Sequence, residues 1–82
     1  MERQTERDSE EITVLVIIEE GPENYSAYSP DVPGCVATGK TKDETIENMR
    51  EALAFHLEGL REENLELPAR HSQAVELELA LA

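Results

Sequence analysis

The 82-residue sequence contains no tryptophan, two tyrosines, one phenylalanine, two histidines and one cysteine. So few aromatic side chains leave few large anchors for a core or an interface. The single cysteine, Cys35, excludes an internal disulfide, which fits a reducing cytoplasm. No apolar run approaches the roughly 18 residues of a membrane helix, and the polar N-terminus does not read as a signal peptide. A soluble, cytoplasmic protein without membrane association is expected. Basic residues are also scarce: seven Lys and Arg stand against nineteen Asp and Glu, a formal net charge of −12. That balance argues against direct nucleic-acid binding, which needs clustered Lys and Arg on the phosphate backbone. It speeds encounter with a basic partner, and it also serves solubility.

The length allows one domain, with a core small enough that oligomerisation commonly supplements it. Residues 1–10, MERQTERDSE, are almost wholly polar and are expected to form a disordered tail ahead of a single domain over 11–82. ITVLVII, 12–18, reads as a strand because β-branched residues dominate it and Gly21-Pro22 follows. Alternation puts Ile12, Val14, Val16 and Ile18 on one face, with Leu15 and Ile17 on the other. Both faces are apolar, so one helix cannot cover this strand, and another subunit or partner is expected on the second face. NYSAYS, 24–29, pairs back as a hairpin, and CVATGKT, 35–41, reads as a short third strand.

Thr41-Lys42-Asp43-Glu44 is a capping box in which Thr41 accepts from the Glu44 amide and Glu44 reaches back to the Thr41 amide. The helix it opens is expected over 42–63, with Ile46, Met49, Leu53, Leu57 and Leu60 as its buried stripe. Asn64 reads as the region of its C-cap, and Pro68 forbids its continuation. AVELELALA, 74–82, alternates Val75, Leu77, Leu79 and Leu81 against Glu76, Glu78 and Ala80, the pattern of a fourth strand. The expected order is βββαβ, an α+β fold with a mostly antiparallel sheet and one helix on one face. A right-handed crossover makes the fourth strand parallel to the first and places it beside it.

YSPDVPGC, 28–35, concentrates two prolines, an aspartate, a glycine and the cysteine. Carboxylate or metal chemistry needs several converging ligands, and His56 and His71 lie far off without metal-binding spacing. His56 is expected as a partly buried helix residue and His71 as a solvated loop residue. Cys35 has no cationic neighbour or base to activate it and reads as a small buried strand residue. No catalytic residues, metal or cofactor are therefore expected. The segment reads as a sharp turn with Asp31 as a turn or capping oxygen. Phe55 lies about 180° from the buried stripe, surrounded by Asn48, Ala52 and Gly59, and is either a lone exposed residue or a contact. Tyr28, Pro30, Asp31 and Pro33, with Phe55 and Gly59, are the expected partner or oligomer contacts.

The ordered series Tyr25, Tyr28-Ser29-Pro30-Asp31, Pro33-Gly34-Cys35, Thr38-Gly39, Thr41 and Glu44 resembles the HicB family of antitoxins from bacterial and archaeal toxin–antitoxin pairs. The likeness continues through Asn48, Glu51-Ala52-Leu53, Leu57, Leu60 and Leu67-Pro68, and spans about residues 12 to 81. It implies a partial RNase H-like βββαβ domain without the nuclease's metal-binding carboxylates. It also implies a small basic HicA-like toxin that cleaves mRNA, bound and masked by the antitoxin, with the acidic charge suited to that surface. Many relatives carry a C-terminal DNA-binding region; this sequence stops after the fourth expected strand, so direct operator binding is not expected. The alternative function is a stand-alone oligomeric scaffold or regulatory module without a toxin. A homo-oligomer, dimer or tetramer, is expected in either case.

Overall fold

The computed structural model describes residues 11–82; the tail expected over 1–10 lies outside them. Three short strands, β1 (Ile17–Glu20), β2 (Tyr25–Tyr28) and β3 (Val36–Gly39), precede one helix, α1 (Lys42–Glu62). The sheet is antiparallel throughout in the order β1-β2-β3. The α+β class, the antiparallel sheet and the single covering helix agree with the sequence reading.

β1 is shorter than its β-branched run and begins later. Its first paired residue, Ile17, stands opposite Tyr28, the last residue of β2. Pro30, which has no amide to donate, and the turn around it end β2 there. Residues 12–16 therefore overhang the hairpin, with no ladder partner among the described residues.

The sheet row Ile18–Ala27–Ala37 faces the helix. Ala27, Val32, Cys35, Met49 and Leu53 form the buried core, with Val14, Val16, Ile18, Ala37 and Ala52 packed against it. Small residues at the centre of the sheet let the helix lie close. Gly39 sets the closest approach: a Cβ there would stand 2.7 Å from Thr45 Oγ1 and 2.9 Å from the Thr45 amide nitrogen.

Both helix ends are capped. Thr41 Oγ1 accepts from the Glu44 amide at 3.0 Å, and Glu44 reaches back to the Lys40 amide at 2.8 Å, one residue before the Thr41 amide expected of it. Asn64 takes φ 60°, the Asn64 amide donates to the Arg61 carbonyl at 3.0 Å, and the Leu65 amide to the Leu60 carbonyl at 2.9 Å. These are the two bonds of a Schellman motif, and they satisfy carbonyls that the helix leaves open.

Three expectations are corrected. His56 is exposed, not partly buried, and Ile46, Leu57 and Leu60 are only half-buried. A 21-residue helix is about 31 Å long at ~1.5 Å per residue, whereas four-residue strands span about 13 Å, so the last turns of α1 run past the sheet. The fourth strand over 74–82 does not form within the chain. Residues 65–82 join no ladder, and Val75, Leu77, Leu79 and Leu81 are 70%, 77%, 76% and 90% exposed. Alternation gives this segment a strand's two faces, but a strand needs a neighbour to satisfy its backbone, and among the described residues none lies beside it.

Candidate partner-binding surface

The segment 28–35 folds as two consecutive turns. The Val32 amide donates to the Ser29 carbonyl and the Cys35 amide to the Val32 carbonyl, each at 3.3 Å. Pro30 and Pro33 occupy the second position of their turns, where the fixed proline φ fits. Gly34 follows Pro33 with φ 87°, the left-handed value that a type II turn requires of its third residue. The double turn drives Val32 into the core, where it is fully buried.

Asp31 is buried too, and one of its carboxylate oxygens is engaged within the chain. Its Oδ1 accepts from the His71 amide at 3.3 Å, and His71 Nδ1 lies 3.3 Å from the same oxygen. Burial pushes the Asp31 carboxyl up. Hydrogen bonds from the Ser72 side chain and the His71 amide, the His71 charge and the Ser72 amide outweigh it, so the net shift is downward. The corner thus holds the tail 65–82 to the body. Burial pushes the Cys35 thiol up, away from the thiolate that a nucleophile needs.

Pro30 and Pro33 are exposed beside this anchor. Tyr28 lies on the sheet face away from the helix, in the cross-strand row Ile17–Tyr28–Val36. Ile17 is half-buried, Tyr28 is 40% exposed and Val36 65% exposed. This apolar strip is the open second face anticipated from the two-sided run at 12–18. Val36 was not legible as part of this strip: its alternation with Cys35 was visible, but its alignment with Tyr28 comes only from the ladder register.

Phe55, 82% exposed, and Gly59 lie on the opposite side of the molecule, where α1 faces solvent beside His56 and Leu60. The expected contacts therefore divide into two surfaces. Asn48, expected near Phe55, instead donates from Nδ2 to the Thr38 carbonyl at 2.9 Å and ties the helix to the outer edge of β3.

Among the described residues, no group of three or more His, Cys, Asp or Glu side chains is placed to hold a metal, and no helix is long and apolar enough to cross a membrane. Fold and surface define a small α+β module of three antiparallel strands and one helix, with an exposed apolar strip in an acidic chain. Residues 14–79 match the family model described as the HicB-like antitoxin of bacterial toxin–antitoxin systems, and the chain belongs to that family. It is 30% identical to the N-terminal domain of the Burkholderia pseudomallei antitoxin HicB, with a TM-score of 0.64 over 71% of this chain and 69% of that one. A HicA3 and HicB3 toxin–antitoxin complex is similar at 31% identity and a TM-score of 0.57, over 72% of each chain.

Among curated relatives, an uncharacterized 14.9 kDa protein of Haemophilus phage HP1 is 43% identical over 65% of this chain, which spans 40% of that protein's length. A UPF0150 protein of Helicobacter pylori is 33% identical over 84% of this chain and 97% of its own.

Proposed function

We propose that this protein binds a small basic HicA-type toxin and masks the surface with which that toxin cleaves mRNA. The observation carrying this reading is the Ile17–Tyr28–Val36 strip, an open apolar row on a chain of net charge −12. Long-range attraction between the acidic chain and a basic partner sets the encounter rate, while burial of the strip sets the residence time. The likeness to one chain of a HicA3 and HicB3 complex supports the partner class.

The protein acts by occupying its partner, not by catalysis. Asp31 is engaged by the tail, and Cys35 is buried with its thiol protonated. Tyr28, Pro30 and Pro33 border the contact, and Phe55 with Gly59 forms a second one on the helix. The protein works in the cytoplasm as a homo-oligomer, dimer or tetramer, and binds no nucleic acid directly.

The test is co-expression with the small basic protein encoded beside it, followed by co-purification and a growth assay. A stable complex and restored growth are expected. Val36→Glu should weaken the complex by at least ~10-fold, as charge does at the core of an interface, without lowering the melting temperature. Failure of the unsubstituted pair to bind or to restore growth overturns the proposal in favour of a stand-alone oligomeric module.

A further inference from the structure

The C-terminal half of α1 carries a groove of about 380 Å³, lined by Phe55, Gly59 and Leu60 and by Glu58, Glu62 and Glu63. Phe55 is 82% exposed. A Cβ built on Gly59 meets no atom within 4 Å, so packing among the described residues does not require glycine there. Glycine inside a helix destabilises it relative to alanine, and this one leaves the groove open instead.

The charge around the groove is also set against the helix. Glu58 and Glu62 are four residues apart, a like-charge spacing that destabilises a helix. Glu62 and Glu63 stand at its C-terminus, the negative end of the helix dipole. At ~100° per residue Glu51, Glu58 and Glu62 lie within about 60° of Phe55, whereas Lys42, Arg50 and Arg61 lie at least about 120° away. Among the residues lining the groove, only His56 can carry positive charge. Three features that give the isolated helix nothing coincide here: an exposed ring, an unneeded glycine and clustered carboxylates.

We propose that this groove takes an arginine-bearing segment of a basic protein partner. The guanidinium stacks on the Phe55 ring, its N–H fork donates to the Glu58 and Glu62 carboxylates, and its aliphatic stem lies over Gly59. The inference rests on the reading that the partner is basic, and it gives the second contact surface its chemistry.

Charge decides the occupant. A second copy of this chain would set Glu58 and Glu62 against the same residues by symmetry, and like charges face to face oppose association. A nucleic acid or an anionic membrane is repelled by the same carboxylates. An arginine relieves both the Glu58–Glu62 repulsion and the unfavourable charge at the end of the dipole. Arginine is preferred to lysine because its planar head both stacks and forks. The groove lies on the opposite side of the molecule from the Ile17–Tyr28–Val36 strip, so the two contacts can be tested apart.

The test is an NMR titration of the isotope-labelled full-length protein with the capped peptide Arg-Ala-Ala-Arg. The control is the same peptide with citrulline, which has arginine's shape without its charge. Shifts are expected at the Phe55 ring, Glu58, Gly59 and Glu62 and not at Glu19, Glu20, Glu76 or Glu78. The citrulline peptide should bind at least ~5-fold more weakly. Phe55→Ala should weaken the arginine peptide by about 2–5-fold, the range of an exposed cation–π contact. Gly59→Leu should raise the melting temperature, because leucine favours the helix and its Cβ meets no neighbour. The same variant should cut peptide binding at least ~10-fold by filling the groove.

Shifts of equal size over the whole acidic surface overturn the proposal, as does a citrulline peptide that binds equally well or a Gly59→Leu chain that binds like the parent. So does a complex with the basic protein encoded beside this chain whose affinity Phe55→Ala and Gly59→Leu leave unchanged. In that case toxin masking stands on the strip alone. If the neighbouring protein does not bind while the arginine peptide does, toxin masking falls and the groove keeps its assignment.

Discussion

The His71 amide donates to Asp31 Oδ1 at 3.3 Å, which joins residues forty positions apart and ties the chain beyond the helix to the turn between β2 and β3. The Asp31 carboxyl lies below its ordinary pKa in the folded protein because hydrogen bonds and the His71 charge outweigh its burial. A depressed carboxyl stabilises the fold above its unfolded pKa, and that contribution is lost as the pH falls through the folded value. Exchange protection of the His71 and Ser72 amides should therefore hold at neutral pH and fade below about pH 4. In Asp31→Asn the protection should be lower at neutral pH and flat across the same range.

Gly39 and Gly34 should resist substitution for different reasons. Gly39→Ala drives a Cβ to 2.7 Å from Thr45 Oγ1 and 2.9 Å from its backbone nitrogen, so the helix must shift. A loss of ~1–3 kcal/mol is expected, the usual cost of overpacking. Gly34→Ala meets no neighbouring atom but holds φ 87°, and should cost ~1–2 kcal/mol from backbone strain alone. Urea melts of the two variants measure both losses. Asn at position 34 should recover part of the second, because it tolerates a left-handed φ better than alanine.

Thr41→Ala removes the oxygen that accepts from the Glu44 amide. The expected loss is ~1 kcal/mol, which lowers the melting temperature by roughly 4–8 °C in a domain this size. Thr41→Asp should keep most of the stability, since its carboxylate caps the same amide and sits at the positive end of the helix. Thermal melts followed by circular dichroism compare the two.

Cys35 is buried and its thiol is pushed up, so it should react slowly with a thiol reagent at pH 8. In denaturant one equivalent should react at the rate of a free thiol. Fast labelling of the folded protein would show that the corner between β2 and β3 opens in solution.

The helix was the most legible element, because its capping residues and the spacing that buries Met49 and Leu53 rest on interactions a few residues apart. The double turn at 28–35 was legible as a turn for the same reason: proline and glycine act on their own φ angles. The burial of Asp31 was not, since its partner His71 comes from forty residues away. The outward exposure of Val36 depended on the β2–β3 register, and that of His56 on the mismatch between a long helix and short strands.

Alternation at 74–82 correctly marked a segment with one apolar and one acidic face. It carried no information on which strand would lie beside it. Local chemistry by itself determined the elements of this protein: β-branched runs, caps, turn residues and the excess of acidic charge. Tertiary structure alone decided the partners of those elements. It anchored Asp31 on the tail, left the Ile17–Tyr28–Val36 strip open and kept the free edge of β1 beside an apolar cleft. The physical reason is that propensity and capping act over one or two turns of chain, whereas register, burial and edge pairing are settled by contacts between residues far apart in sequence.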